Sequence, residues 1–281
     1  MPSRVRVFSG DAITERIERG HSQGEGPTFK PWFYVSEMPS DGTSAIVKGE
    51  PFNRDRHFPS QNEVRYYFAT SWSSRLLDFR EQYALLPLED TLEIAQALGF
   101  KHPCDNRRRP VVMTTDAFLT IGETGEDPRG VVRTVKEIAD LCNPRTLEKL
   151  EIERQYFHFH GIDDWGIVTD LELKQFKSEI AEIKSLNDVR NVNCLAPLKL
   201  DQIRTIATAL STRVKGAAYV RLASLCTEID KKFALEAGTS LAVARFLIAN
   251  KAWQTELCLL SDLTQPIAFQ VRNLDLLWSK L

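Results

Sequence analysis

The chain has 281 residues, of which 43% are apolar and 26% are charged, and these proportions predict a globular protein of one large domain or two ordinary ones. The formal net charge of −2 argues against binding of nucleic acid through phosphate contacts alone, and five widely spaced cysteines without a C-x-x-C pair argue against a zinc site or a disulfide framework. No apolar run is long enough for a membrane span and the N-terminus does not resemble a signal peptide, so we expect a cytoplasmic protein without a membrane partner.

The first 170 residues predict loops followed by a mixed α/β region. Residues 1–60 are rich in glycine, proline and aromatic residues, with one short strand predicted at 32–38. Asn143 and Pro144 are typical of a helix cap and of a first helical position. Apolar spacing predicts the order helix, strand, helix, strand, strand, helix, strand, over residues 60–72, 77–87, 89–99, 111–120, 131–138, 144–160 and 165–170.

From residue 171 onward the pattern is mostly helical, beginning with a polar linking helix at 172–186. The last two predicted helices and the strand after them have the order of a helix-turn-helix with a wing. The predicted fold class is therefore a mixed α/β domain over residues 1–170 and a mostly helical, winged-helix-like domain over residues 171–281. The helices of the second domain are predicted at 200–211, 217–235 and 240–250.

Asp116 is unusual in its predicted strand, because aspartate is depleted in β-strands. Strand alternation puts it on the face opposite a largely apolar set of side chains. If Ile121 pairs near Gly130 of the next strand, Asp116 lies opposite residue 135 and within about one residue of Lys136. A cross-strand ion pair on a solvated sheet face is by itself a sufficient explanation of these two residues.

Two glutamates on predicted helices extend this pair. Glu63 fits an S-x-x-E capping box with Ser60, which is a sufficient structural role, and Glu153 on an exposed helix face would be one more surface charge. Together with Asp116 and Lys136, however, they form the set that metal-dependent phosphodiester cleavage needs. Carboxylates supply oxygen ligands to Mg²⁺, the metal activates water, and a lysine orients the nucleophile and stabilises the transition state.

An ordered series of segments, rather than one decisive motif, carries a resemblance to a known family. The segments are GEGPTFKPWF, SQNEVRYYFATSW, LDFREQ, LLP, KHP, MTTDAFL, VVRTVK, RTLEKLEIERQYF and VTD. In this order they resemble the TnsA family, the endonuclease subunits of the heteromeric transposases of Tn-seven-like transposons. That family belongs to the PD-(D/E)xK superfamily and implies a restriction-endonuclease-like fold for the first domain. Over residues 171–281 the similarity is one of pattern more than of residues.

The resemblance implies a role for each residue of the set. Glu63 and Asp116 would be metal ligands, and Lys136 would be the catalytic lysine. Glu153 corresponds to a further acidic residue that is linked to the site. The expected cofactor is Mg²⁺, with Mn²⁺ as a possible substitute.

The sequence departs from the superfamily pattern at Thr134. Most nucleases of this fold have Glu or Asp two residues before the lysine, although the TnsA branch relaxes this position. The backbone carbonyl of Thr134, or that of Val135, would then supply an oxygen ligand in place of the missing carboxylate. The number of metal ions is left open by this substitution.

The resemblance also implies a process and partners. The family cuts the 5′ ends of the transposon in the bacterial cytoplasm, while a DDE-type transposase subunit, TnsB, cuts the 3′ ends and an AAA+ regulator, TnsC, joins the complex. Two alternatives are a non-catalytic DNA-binding or assembly adaptor and a stand-alone restriction-type endonuclease. The predicted recognition helix has only Arg245 and Lys251 as basic residues, which favours contact with protein over reading of base sequence.

Overall fold

The structure, a computed structural model, describes residues 10–38, 44–47, 54–123, 127–174, 198–256, 262–272 and 274–278. The chain forms two compact units, Met1–Gln175 and Phe176–Leu281. The domain boundary was predicted after residue 170. The short helix Asp170–Lys174 belongs to the first unit, because its Leu173 is buried in the core of that unit. None of the helices in the described ranges has the length and apolar character needed to cross a bilayer.

The first unit alternates helices and strands largely as the apolar spacing predicts. Its helices and strands in chain order are α1 (Gly10–Glu18), β1 (Ala45–Val47), β2 (Arg56–Phe58), α2 (Gln61–Ser71), β3 (Leu76–Ala84), α3 (Leu88–Ala97), β4 (Thr114–Ile121), β5 (Arg129–Lys136), α4 (Pro144–Phe159), β6 (Trp165–Thr169) and α5 (Asp170–Lys174).

A four-stranded sheet in the order β3-β4-β5-β6 forms the centre of this unit. β3, β4 and β5 are antiparallel to one another, and β6 is parallel to β5. Helix α4 connects β5 to β6, which is the crossover that a parallel neighbour requires. It begins as predicted, with Pro144 as its first residue and the Asn143 side chain accepting a hydrogen bond from the Arg145 N–H at 2.9 Å.

Helices cover both faces of the sheet. On one face, Val64 and Tyr67 of α2 pack in a core with Leu119 of β4. On the other face, side chains of α3 and α4 pack in a second core with Phe118 of β4.

The prediction of a strand over residues 32–38 is wrong, since Val35–Glu37 form a short 3-10 helix. The cause is the Glu37 carboxylate, which accepts a hydrogen bond from the Tyr34 N–H at 2.9 Å and pairs with Arg16 at 2.8 Å. These contacts stabilise a turn in a segment whose apolar residues alone favour a strand.

The register of the β4–β5 hairpin differs by one residue from the predicted one. Ile121 pairs with Arg129 rather than with Gly130. Continued along the strands, this register places Asp116 opposite Thr134, one residue earlier than predicted. Directly opposed residues share a face, so the same face also carries the lysine two residues further on. In this register the Thr134 hydroxyl and the Lys136 ammonium of β5 both donate hydrogen bonds to the Asp116 carboxylate.

The second unit consists, in its described part, of helices with short paired strands between them. β7 (Val220–Arg221) pairs with β9 (Pro266–Ile267), and β8 (Trp253–Gln254) pairs with β10 (Gln270–Val271), both antiparallel. Of the linking helix predicted at 172–186, only the first residues are described, within α5. The elements are α6 (Leu200–Lys215), β7 (Val220–Arg221), α7 (Leu222–Phe233), α8 (Thr239–Ala249), β8 (Trp253–Gln254), β9 (Pro266–Ile267), β10 (Gln270–Val271) and α9 (Asp275–Trp278).

Helix α8 is buried along most of its length and packs against α6 and α7. Phe246 and Leu247 are fully buried. Asp230 of α7 caps its N-terminus, because its two carboxylate oxygens accept hydrogen bonds from the N–H groups of Gly238 and Ser240, each at 2.8 Å. This helix is therefore an internal element of the second unit.

Candidate active site

Asp116 lies on β4, and one of its carboxylate oxygens is bound by three donors of β5. Oδ2 accepts hydrogen bonds from the Thr134 hydroxyl (2.9 Å), the Val135 N–H (2.7 Å) and the Lys136 ammonium (2.7 Å). Among the described residues none donates a hydrogen bond to Oδ1, and the Asp116 side chain is 14% exposed. One oxygen thus fixes the carboxylate on β5, and the other can accept a ligand.

Lys136 is partly buried and surrounded by negative charge. Its Nζ also donates a hydrogen bond to the Val135 carbonyl at 3.0 Å. Burial alone would lower the pKa of this ammonium, but the charges of Asp116 and of Glu153 and Glu63 outweigh burial and raise its pKa. Lys136 is therefore a cation at neutral pH and contributes positive charge rather than a base.

Glu63, in the first turn of α2, is buried and has hydrogen bonds on both carboxylate oxygens. The Ser60 hydroxyl donates to Oε1 at 2.8 Å, and Gln82 Nε2 donates to Oε2 at 3.2 Å. Half of the predicted capping box is present, since the Ser60 hydroxyl accepts a hydrogen bond from the Glu63 N–H at 3.2 Å. Burial first, and then the charge of Asp116, raises the pKa of Glu63 well above its usual range.

Glu153 is buried on α4 and is not the surface charge that its helix position alone allowed. The Trp165 indole N–H donates a hydrogen bond to its Oε1 at 3.1 Å. Burial, followed by the charge of Asp116, raises the pKa of Glu153 to about 7, although Lys136 opposes the shift. A carboxyl group that titrates near neutral pH is suited to accepting and releasing a proton.

Three carboxyl groups share one lysine in this site, and the charge of Asp116 disfavours ionisation of both buried glutamates, whose pKa values are raised. A bound divalent cation would supply the missing positive charge. No three Asp, Glu, His or Cys side chains in the described ranges lie close enough together to hold a metal ion. Mg²⁺ does not need such a cage, since one or two carboxylates, water and substrate phosphate complete its shell. Glu63 and Asp116 fit this requirement.

Thr134 and Val135 contact Asp116 as donors, not through their carbonyl groups. The Thr134 side chain is buried, and its hydroxyl proton points to the carboxylate. The Val135 carbonyl already accepts a hydrogen bond from Lys136. A role of either carbonyl as a metal ligand stays a prediction.

Gln82 is a residue of the site that the sequence did not indicate. The pairs Glu81–Ala117 and Tyr83–Thr115 flank it and place it opposite Asp116 across the β3–β4 pair. Its φ of +47° is left-handed, which is rare for a residue with a side chain. The sequence signals were a polar residue within a strand and its place at the end of the LDFREQ segment. Neither predicts the left-handed backbone, which is expected at glycine rather than at glutamine.

The fold and the site define a class of protein. An aspartate and a lysine on adjacent strands of a mixed sheet, with buried glutamates from the helices beside it, are consistent with an endonuclease-like α/β enzyme.

Comparison with known proteins identifies the family. The TnsA-like endonuclease N-terminal profile matches residues 73–170, and the TnsA endonuclease C-terminal profile matches residues 183–257. The chain is 37% identical over 243 residues to the Transposon Tn7 transposition protein TnsA of Escherichia coli, covering 86% of this chain and 85% of the relative. The chain belongs to the TnsA endonuclease family.

The N-terminal profile contains three of the four predicted side chains, Asp116, Lys136 and Glu153. Glu63 lies ten residues before the match begins at residue 73. Its association with the site therefore rests on its burial, on its hydrogen bond to Gln82 and on the effect of Asp116 on its pKa.

Proposed function

We propose that this endonuclease is the metal-dependent DNA-cutting subunit of a heteromeric transposase and that it cleaves the 5′ ends of the transposon. The observation that carries the proposal is the arrangement at Asp116, where β5 donors including Lys136 hold one oxygen and leave the other for a ligand. The E. coli relative is a Tn7 transposition protein, which supports DNA transposition as the process.

Glu63 and Asp116 are the side chains that would hold Mg²⁺, or Mn²⁺ as a substitute, with a backbone carbonyl of Thr134 or Val135 as a further oxygen. When bound, the metal supplies an activated water and screens the charge that develops on phosphorus. Its hard oxygen preference matches the donor set of the site.

The remaining side chains act on charge and on protons. Lys136 is protonated, and its ammonium stabilises the negative charge of the scissile phosphate and orients the attacking oxygen. Glu153, with a pKa of about 7, holds a proton on part of the molecules at neutral pH and exchanges it within the site. Neither role requires a side chain from the second unit.

The second unit is proposed to be a winged-helix-like domain that contacts partner subunits. The order of α6 to α8 and the pairing of β7 with β9 and of β8 with β10 support this arrangement. α8 stands where the recognition helix of such a domain would be, and its burial is unfavourable for insertion into a DNA groove.

The partners proposed from the family are transposon-end DNA, the DDE-type transposase TnsB and the AAA+ regulator TnsC. A net charge of −2 supports a division in which partner subunits provide much of the affinity for DNA.

Cleavage of the transposon 5′ strand in the reconstituted transposase tests the proposal. Asp116→Ala and Lys136→Ala should each reduce it by about 100-fold or more, the scale of a lost charged group that acts only on the transition state. Lys174→Ala is the matched control, because Lys174 also pairs with an aspartate at 2.7 Å but is exposed. Wild-type 5′ cleavage by Asp116→Ala would show that the assignment is wrong.

A further inference from the structure

Gln82 has a backbone conformation that nothing in its strand requires. It lies inside β3, is 4% exposed and has a φ of +47°. In the described part of the chain, the other non-glycine residues with positive φ lie in turns or just beyond helix ends, where this conformation is common. A left-handed residue in a buried strand is retained only where surrounding contacts hold it.

The left-handed turn at Gln82 breaks the alternation of side chains along β3. Strict alternation would put Tyr83 on the same face as Phe79, which packs with α2. Instead the Tyr83 ring lies 4.7 Å from the ring of Phe118, on the α4 side. Gln82, which alternation would place on the α4 side, reaches Glu63 of α2. The left-handed turn therefore allows the Gln82 amide to reach the Glu63 carboxylate. In a regular strand the Gln82 side chain would point to the opposite face of the sheet.

Three neighbouring segments hold this conformation in place. The side-chain N–H₂ donates to Glu63 Oε2 at 3.2 Å, and the side-chain carbonyl accepts a long hydrogen bond from the Thr114 hydroxyl at 3.4 Å. The backbone carbonyl of Gln82 accepts a hydrogen bond from the Trp32 N–H at 2.9 Å. A buried amide with both of its polar ends satisfied has one preferred orientation.

We propose that Gln82 is a positioning residue for the metal site, which fixes the Glu63 carboxylate toward Asp116. The inference rests on the proposed function, since it gives Glu63 the role of a metal ligand. Ser60 holds one oxygen of Glu63 and Gln82 holds the other, so the carboxylate cannot rotate without losing a hydrogen bond. Each oxygen keeps a second lone pair for a metal ion.

The neutral amide suits this task. A lysine at position 82 would compete with a cation for Glu63, and a glutamate there would add a carboxyl group to a site in which three already share one lysine. Partners that orient a metal-binding side chain usually contribute about 10- to 100-fold to metal affinity. The neutral Gln82 amide orients the Glu63 carboxylate without neutralising its charge, so that charge can bind the metal ion.

Calorimetric titration of the full chain with Mn²⁺ tests the inference directly. Gln82→Met keeps the length of the side chain and removes the amide, and we expect about tenfold weaker Mn²⁺ binding. Gln155→Met is the matched control, because the part-buried Gln155 amide donates to the Glu151 carboxylate at 2.8 Å on α4, and its Mn²⁺ affinity should equal that of wild type. In cleavage assays Gln82→Met should require more metal, with most of the maximal rate restored at saturating Mn²⁺.

Two further variants keep the test decisive. If Gln82→Met does not fold, Gln82→Gly adopts the left-handed backbone without strain and also lacks the amide, so it should fold and bind Mn²⁺ weakly. Wild-type Mn²⁺ affinity in either folded variant would overturn the inference. Asp116→Ala separates the two proposals: if it abolishes binding and cleavage while Gln82→Met changes neither, only the role of Gln82 is wrong.

Discussion

The Nζ atom of Lys136 lies 2.7 Å from Oδ2 of Asp116, on adjacent strands of the central sheet. A pair of this kind on a solvated face would contribute little to the free energy of unfolding. Here the same aspartate also raises the pKa of two buried glutamates, so the pair is part of a larger set of charges. The predictions below separate the roles of these charges.

Lys136→Met should separate metal binding from catalysis. The substitution removes a positive charge beside the carboxylates and releases Asp116 Oδ2, so Mg²⁺ should bind as tightly as to wild type or a fewfold more tightly. Cleavage should still fall by about 100-fold, because the charge that stabilises the transition state is absent. Calorimetry with Mg²⁺ and a 5′-cleavage assay measure the two effects. Weaker Mg²⁺ binding together with lost cleavage would instead indicate that the lysine holds the site together.

Glu153→Gln should stabilise the metal-free protein at alkaline pH. The folded-state pKa of about 7 is above the ordinary value of 4.5, so Glu153 favours the folded state fully below about pH 4.5 and loses this contribution as pH rises through 7. At pH 8 the variant should therefore be more stable than wild type by about 1–3 kcal/mol, and at pH 4.5 about equal to it.

Urea unfolding in EDTA at the two pH values measures this difference. Glu151→Gln is the control on the same helix, because Glu151 pairs with Arg154 on the surface and its pKa is lowered rather than raised. A stability difference between Glu153→Gln and wild type that does not change with pH would contradict the prediction.

Thr134→Val should cost stability without abolishing metal binding. The buried hydroxyl donates to Asp116, and its loss should reduce the free energy of unfolding by about 1 kcal/mol. The proposed metal ligand at this position is a backbone carbonyl, which valine retains. The Mg²⁺ dissociation constant should therefore change less than about threefold, which is smaller than the usual loss of affinity when a side chain that orients a metal ligand is removed. A complete loss of Mg²⁺ binding in a folded variant would assign the role to the hydroxyl.

Asp230→Ala should destabilise the second unit. Its carboxylate satisfies two N–H groups at the start of buried α8, and loss of a cap costs about 1–2 kcal/mol. Hydrogen exchange of the α8 amides should rise accordingly, while exchange in the sheet of the first unit should not change. Asp262→Ala is a control, because Asp262 accepts hydrogen bonds only from Thr264 and Gln265 among the described residues, in an exposed turn. Equal exchange of α8 in the Asp230 variant and wild type would contradict the capping role.

Local patterns were sufficient for most elements of the first unit. Asn143 and Pro144 predicted the start of α4, and the Ser60 hydroxyl caps α2 as its motif indicated. These signals succeed because a cap depends on residues adjacent in the chain. Residues 32–38 were predicted incorrectly, since the turn there depends on Arg16, which is distant in the sequence.

The sequence by itself determined which side chains are chemically suited to the site: a strand aspartate, a lysine on the next strand and two helix glutamates. It also carried the family resemblance, which the profiles and the E. coli relative confirm. Only the tertiary structure decided the register that joins Asp116 to Thr134 and Lys136, and the burial that raises the pKa of Glu153. It alone revealed Gln82, because a left-handed backbone within a strand is held by contacts from three separate segments, and no local pattern encodes them.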